Sequence, residues 1–365
     1  MKWSLNLVAT NMGYMYGYTD NYIKYDNDIY AMFDLDDTLI TTISGKKSFM
    51  TNENDWKFLF PNTVTKLCDL HLKKYNIVII TNQGWIKNSE TNLKKFKLKI
   101  EHIEKKINVP FLIYVFPFSD IFRKPHPTIF YKKVFHKKSF YCGDAYDSVE
   151  RFSDTDLKFA FNLGIQFYTE KMFINDRITK ISIKNINYPI NQYEYVSKEY
   201  VFEINKFMKK EFIIMVGYQG SGKSTICKNI LNVYQMCYLN ADTYSKKDYN
   251  KQLLKSIVNK EHIIIDNTNM SNESRTKLID YVRDNQEYYV RVIYMTCPIE
   301  RSIHNMHYRS YTSYVKDNII IPLIPKVAYN VTKKKCENIM DKRIDIIENV
   351  DFNIPFDMDY GLFYL

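Results

Sequence analysis

Two groups of residues in this 365-residue chain have the types and spacing for phosphorus chemistry, and the two chemistries are opposed. In Phe33-Asp34-Leu35-Asp36-Asp37-Thr38-Leu39, two carboxylates stand two residues apart at the end of an apolar run. Strand alternation puts residues two apart on one side, so both can face a single phosphoryl group. An aspartate can attack phosphorus to give an aspartyl-phosphate. A second carboxylate can protonate the leaving oxygen and then deprotonate the attacking water. The other group, Gly217-Tyr218-Gln219-Gly220-Ser221-Gly222-Lys223-Ser224, has the GxxxxGK[ST] form of a P-loop. Backbone N–H groups at such a loop and helix start cradle phosphates. Lys223 would reach the β- and γ-phosphates of ATP and Ser224 would hold Mg²⁺.

Both groups need partners. Thr81-Asn82 ends an apolar run where a hydroxyl can hold a phosphoryl oxygen, and Arg123-Lys124-Pro125 supplies a cation to neutralise phosphate and orient Asp34. Gly143-Asp144 ends another short run, with Asp154 and Asp156 close behind. Carboxylates at Asp34 and Asp144, with the main-chain carbonyl of Asp36, would give Mg²⁺ its preferred oxygen ligands. On the P-loop side, Gly217, Gly220, Ser221, Gly222, Lys223, Ser224 and Thr225 form the nucleotide cradle, and Asp242 is the candidate base for an acceptor hydroxyl. Asp266, after Ile263-Ile264-Ile265, reads either as a Walker B carboxylate or as a group ordering the acceptor with Asn267 and Asn269. Arg301 and Arg309, on a helical stretch after Cys297-Pro298, are candidate lid cations.

Alternating strand and helix patterns must position these residues, which predicts α/β domains with parallel sheets. Strands are expected at Ile29–Leu35, Ile77–Thr81, Phe111–Phe116, Phe140–Cys142, Phe212–Val216, His262–Asp266 and Tyr289–Met295. Helices are expected at Pro61–Lys74, Thr91–Ile107, Lys223–Tyr234 and Ser271–Asn285. A polar segment from Thr169 to Tyr200, with Lys184-Asn185-Ile186-Asn187-Tyr188-Pro189 inside it, marks the junction. The expected arrangement is two doubly wound domains, at 1–185 and 200–365. Lysine pairs such as Lys94-Lys95 and Lys105-Lys106 read as solvated helix faces.

Hydrophobic residues make up 45% of the chain, enough to give each half a core and to argue against disorder. The net charge of +10 favours polyanionic partners. Six scattered cysteines without a CxxC pair predict free thiols rather than a zinc site. The apolar stretch after Lys2 is broken by Asn6 and Asn11, so no secretory signal is read, and no run is long enough to span a bilayer. A soluble intracellular protein is expected, nuclear or cytoplasmic.

The order DxD, Thr, Lys, Gly-Asp resembles the haloacid dehalogenase (HAD) phosphatase superfamily. With the P-loop half, nearly the whole chain, from Asp28 to Phe356, is similar to the polynucleotide kinase 3′-phosphatase family. The resemblance rests on Phe33 to Thr42, Ser44-Gly45-Lys46, Asp55-Trp56, Phe60-Pro61, Thr81-Asn82-Gln83, Arg123-Lys124-Pro125, Gly143-Asp144-Ala145, Phe152-Ser153-Asp154-Thr155-Asp156 and Phe161-Asn162-Leu163-Gly164. In the second half it rests on Asp266-Asn267-Thr268-Asn269, Ile321-Pro322 and Tyr329. It implies that Asp34 is the phosphatase nucleophile, Asp36 its acid/base, and Thr81 and Lys124 phosphate ligands. Asp34, Asp36 and Asp144 would hold Mg²⁺, Lys223 and Ser224 would bind ATP–Mg²⁺, and Asp242 would activate a DNA 5′-hydroxyl. Asp156 matches the family's second acidic motif better than Asp154.

Three departures stand out. About 28 residues precede the first expected strand, so the N-terminal phosphopeptide-binding (FHA) domain of the animal members is expected to be absent. Asp37 stands where the family has glycine, and His307 where it tends to have arginine, leaving Arg309 as the lid cation. The implied function is DNA end healing by a monomer acting upstream of a ligase, with removal of 3′-phosphates and ATP-dependent phosphorylation of 5′-hydroxyls. RNA end repair and a catalytically weakened end-binding scaffold are the alternatives.

Overall fold

The β-branched apolar runs form two main sheets in the computed structural model, which describes residues 1–46, 52–151, 153–177, 200–282 and 287–351. The described residues fall into two compact units, 1–177 with 310–323, and 200–309 with 324–351. Most of the expected junction, including Lys184 to Pro189, lies outside the described residues, as do Phe152, Asn285 and Phe356.

The first unit opens with β1 (Lys2–Ala9) and β2 (Met12–Tyr18), an antiparallel hairpin. There follow β3 (Tyr30–Phe33), the short pair β4 (Ile40–Thr41) and β5 (Lys57–Phe58), α1 (Thr63–Leu72), β6 (Asn76–Asn82), α2 (Glu90–Ile107) and β7 (Leu112–Phe116). It continues with β8 (Phe140–Cys142), α3 (Thr155–Leu163), β9 (Gln166–Tyr168) and α4 (Glu170–Asn175). The main sheet has the order β1-β2-β7-β6-β3-β8-β9, parallel from β7 to β9. Alternation splits its side chains between two cores. Ala31, Phe33, Ile77 and Ile79 face Leu67 of α1 and Phe96, Ile100 and Ile103 of α2. Met32, Val78 and Ile80 face Phe159 and Ala160 of α3.

The second unit contains β10 (Lys210–Val216), α5 (Lys223–Val233), β11 (Cys237–Leu239), α6 (Lys246–Val258), β12 (Ile263–Ile265) and α7 (Asn272–Asp280). It ends with β13 (Tyr288–Met295), α8 (Ile299–Asp317), whose last turns belong to the first unit, then α9 (Lys326–Lys334) and β14 (Ile346–Val350). Its sheet, β11-β12-β10-β13-β14, is parallel throughout. Ser245 and Ser271 cap α6 and α7 by accepting the N–H groups of Asp248 and Ser274.

The fold is α/β with parallel sheets, as the sequence predicts. The expected strands end within two residues of those observed. Helix α7 is shorter than expected, stopping at Asp280 rather than continuing toward Asn285. No strand was expected before Ile29, yet β1 and β2 form there. β1 pairs with β2, and β2 joins the sheet through a distant partner, Tyr16 opposite Tyr114 of β7, which local periodicity does not carry. Trp3 lies flat against Gly17, where a Cβ would come within 2.6 Å of the indole.

Candidate active sites

In the first unit the sheet order reverses around β3: the chain runs outward through β6 and β7, then returns to β8 on the other side. Ligands bind at such a switch point, beyond the carboxyl ends of the strands. There the structure gathers Asp34 after β3, Thr81 at the end of β6, Lys124 beyond β7 and Asp144 after β8. They line one cleft of about 430 Å³ with Asp36 and Arg123. The Asp34 N–H donates to Cys142 O at 2.8 Å, extending the ladder and fixing the carboxylate at the carboxyl end of the sheet. Behind it the chain turns sharply: Asp37 N donates to Ile40 O at 2.7 Å, and Asp37 adopts φ +55°. That left-handed conformation suits glycine best and is tolerated by aspartate. Thr41 Oγ1 donates to Asp37 Oδ1 at 2.9 Å, so the replacement gains a bond that glycine cannot make.

Lys124 is the hub of the cleft. Its Nζ donates to Asp34 Oδ1 at 2.6 Å, Asp156 Oδ1 at 2.7 Å and the Tyr141 hydroxyl at 2.8 Å. Burial opposes its charge, but Asp156 and Asp34 outweigh that and hold it protonated, above the usual lysine range. Burial pushes the Asp34 carboxyl up, against the pull of Lys124. Asp156 also accepts the Ala145 N–H at 3.1 Å, while Asp154 instead pairs with Lys158.

Oxygens of Asp34, Asp144 and Asp156 lie within 4.8 Å of one another. Burial, with Asp156 next, pushes Asp144 up to about 7. This surplus of carboxylate in a buried place is a donor set suited to a hard divalent cation. The Asp36 carboxylate stands outside the triplet, so its expected metal contact rests on the main-chain carbonyl alone. Its Oδ2 accepts Gln83 Nε2 at 2.7 Å and its Oδ1 accepts Lys99 Nζ at 3.1 Å. Gln83 Nε2 also donates to Thr81 Oγ1 at 2.8 Å, and Gln83 Oε1 accepts Trp85 Nε1 at 2.5 Å.

In the second unit Gly217 to Gly222 link β10 to α5, with positive φ at Gly217, Gly220 and Gly222. Ser224 and Thr225 occupy the first turn of α5, where the Thr225 N–H turns back to Gly222 O at 3.0 Å. Lys223 Nζ lies back on the loop, donating to Gly217 O at 3.0 Å and Tyr218 O at 2.7 Å. Burial pulls it down to about 8, with Asp266 opposing. Asp266 Oδ2 accepts Ser224 Oγ at 2.6 Å and the Tyr238 hydroxyl at 2.7 Å. Ser221 is buried, its Oγ without a hydrogen-bond partner among the described residues. Asp242 is exposed after β11, its N–H donating to Asn240 Oδ1 at 2.7 Å.

Helix α8 abuts the loop. Asn305 Nδ2 donates to Gly220 O at 3.1 Å, and a Cβ on Gly220 would meet Ser302 O at 2.2 Å. Arg309 follows Asn305 by one helical turn and so shares its face, whereas His307 does not. Arg301 pairs with Asp351 at 3.2 Å.

A family model described as polynucleotide kinase 3 phosphatase matches residues 29–174. A bifunctional polynucleotide phosphatase/kinase of Schizosaccharomyces pombe is 30% identical, over 84% of this chain and 75% of that protein. A protein of Acanthamoeba polyphaga mimivirus with the same bifunctional description is 30% identical, over 93% of this chain and 88% of that protein. The chain belongs to the bifunctional polynucleotide phosphatase/kinase family. A polynucleotide 3′-phosphatase of Arabidopsis thaliana is similar over 41% of the chain, at 30% identity. The family resemblance favoured Asp156 over Asp154, and it is Asp156 that holds Lys124. Sequence reasoning missed Gln83 as a ligand of Asp36, Tyr141 as a ligand of Lys124, and Lys99. The last carried a usable signal: Lys99 falls on the apolar stripe of Phe96, Ile100, Ile103 and Ile107.

Proposed function

We propose that the chain heals broken DNA ends, with a 3′-phosphatase at 1–185 and a 5′-hydroxyl kinase at 200–365. In the first site Asp34 attacks the terminal phosphorus and the P–O3′ bond breaks. The departing oxygen takes the proton of the Asp36 carboxyl. Water then gives a proton to Asp36 and its oxygen attacks the aspartyl-phosphate, releasing inorganic phosphate and free Asp34. Lys124 and Thr81 hold phosphoryl oxygens, and Asp156 and Tyr141 hold Lys124. Mg²⁺ bound by Asp34, Asp144 and the Asp36 carbonyl would neutralise phosphoryl charge.

In the second site the loop from Gly217 to Thr225 cradles ATP, and Lys223 leaves the loop carbonyls for the phosphates. Ser224, oriented by Asp266, would hold Mg²⁺. Asp242 takes the proton of the 5′-hydroxyl as its oxygen attacks the γ-phosphorus, and Arg309 covers the transferring group. The net positive charge suits capture of a DNA backbone, and a monomer handing ends to a ligase completes the reading.

The observation that carries this reading is the bond between Lys124 and Asp34, beside a second carboxylate, in a chain that also holds a complete P-loop. An oligonucleotide with a 3′-phosphate and a 5′-hydroxyl, supplied as DNA and as RNA, tests it. Conversion of both DNA ends supports the reading. Activity confined to RNA ends, or binding without turnover, overturns it.

A further inference from the structure

Lys99 is 2% exposed and sits on the core-facing stripe of α2, between Phe96 and Ile103. Among the described residues, the one hydrogen-bonded or ion-paired partner of its ammonium is Asp36. Burying an ammonium for a single partner that is itself 31% exposed is a poor source of stability. An unbranched apolar residue would fill the same place at no electrostatic cost. The arrangement instead fixes a carboxylate, since Lys99 holds Oδ1 while Gln83 holds Oδ2. Both anchors come from rigid surroundings: Lys99 from an eighteen-residue helix capped by Ser89, and Gln83 from the end of β6, tied to Thr81 and Trp85.

We propose that Lys99 is a positioning residue for the phosphatase, setting the orientation in which Asp36 meets the bridging oxygen of the substrate. The inference rests on the acid/base role given to Asp36 above. Lys99 touches no reacting atom and takes no part in the proton transfer. The proton passes from Asp36 to the departing oxygen, and later from water to Asp36. A carboxylate freed from one of its two anchors samples other rotamers, and a general acid out of place loses much of its contribution.

The test is single-turnover release of the 3′ end by Lys99→Met, using two oligonucleotides that differ only in the bridging atom. With the natural 3′-oxygen the leaving group needs a proton; with a bridging 3′-sulfur it does not. Lys99→Met is expected to slow release from the oxygen substrate by at least about tenfold and from the sulfur substrate by less than about threefold. Thermal stability should be equal or higher, and Lys99→Arg should recover most of the loss. Equal slowing of both substrates, no slowing of either, or loss of stability without rescue by arginine overturns the proposal. Asp36→Asn, run alongside, separates the two levels. If it treats both substrates alike, the acid/base assignment itself falls. If it slows only the oxygen substrate while Lys99→Met does not, only the role of Lys99 falls.

Discussion

A Cβ built on Gly143 would lie 2.4 Å from Asp156 Oδ2 and 2.5 Å from Asp156 Cγ. The glycine before Asp144 is therefore the space into which Asp156 fits, and Asp156 is what holds Lys124 against Asp34. Gly143→Ala should displace Asp156 and with it the Lys124 ammonium. Overpacking of this kind costs about 1–3 kcal/mol. A misplacement of the order of 1 Å at a reacting group lowers turnover on the order of 100-fold. Thermal unfolding and 3′-phosphatase kinetics measured on the same variant should show both losses, with 5′-kinase activity unchanged.

Asp37→Gly should be nearly neutral. The substitution relieves a left-handed aspartate but gives up the bond from Thr41 and adds glycine's entropy in the unfolded chain. A change within about 1 kcal/mol is expected, with phosphatase activity kept. Asp37→Val cannot accept that φ easily and should cost roughly 1–2 kcal/mol. Denaturant unfolding of the two variants compares them directly.

The kinase should bind ATP more weakly at high pH. In the nucleotide-free protein burial pulls Lys223 down to about 8. Bound phosphates favour the charged ammonium. Below about 8 the lysine is already protonated and binding gains nothing further; above it, binding must first take up a proton. Affinity for a non-hydrolysable ATP analogue should therefore fall above about pH 8, approaching tenfold per pH unit. Calorimetry in buffers of different ionisation enthalpy should show the proton uptake, and Lys223→Arg should remove it.

Asp266→Asn should damage the kinase alone. Its Oδ2 accepts both the Ser224 hydroxyl and the Tyr238 hydroxyl, and so orients the first turn of α5. Loss of a group that orients a metal ligand typically costs about 10–100-fold. A fall of that size in 5′-phosphorylation, with 3′-dephosphorylation intact, is the expected outcome.

The residues at strand ends were legible because parallel-sheet strands are continuous apolar runs, and chemistry follows where such runs stop. Asp34, Thr81 and Asp144 were found that way, and the P-loop by its own glycine and lysine spacing. Lys99 and Tyr141 were not, because each enters the site from a core position, where one polar atom among apolar neighbours resembles ordinary packing. The lysine pairs of α2 drew the reading toward solvent and hid the lysine that points inward. The β1–β2 hairpin and β14 escaped for a different reason. Their partners, β7 and β13, lie far away in sequence, and Glu348 interrupts the β14 pattern because it turns to Arg291.

If one chain carries two independent end-healing sites, single substitutions should separate them. Asp34→Asn and Lys223→Ala should each be assayed on one DNA oligonucleotide bearing a 3′-phosphate and a 5′-hydroxyl, with ATP and Mg²⁺. Asp34→Asn should abolish 3′-dephosphorylation and leave 5′-phosphorylation intact, and Lys223→Ala should do the reverse. Loss of both activities from either substitution, with the protein still folded, would contradict that independence.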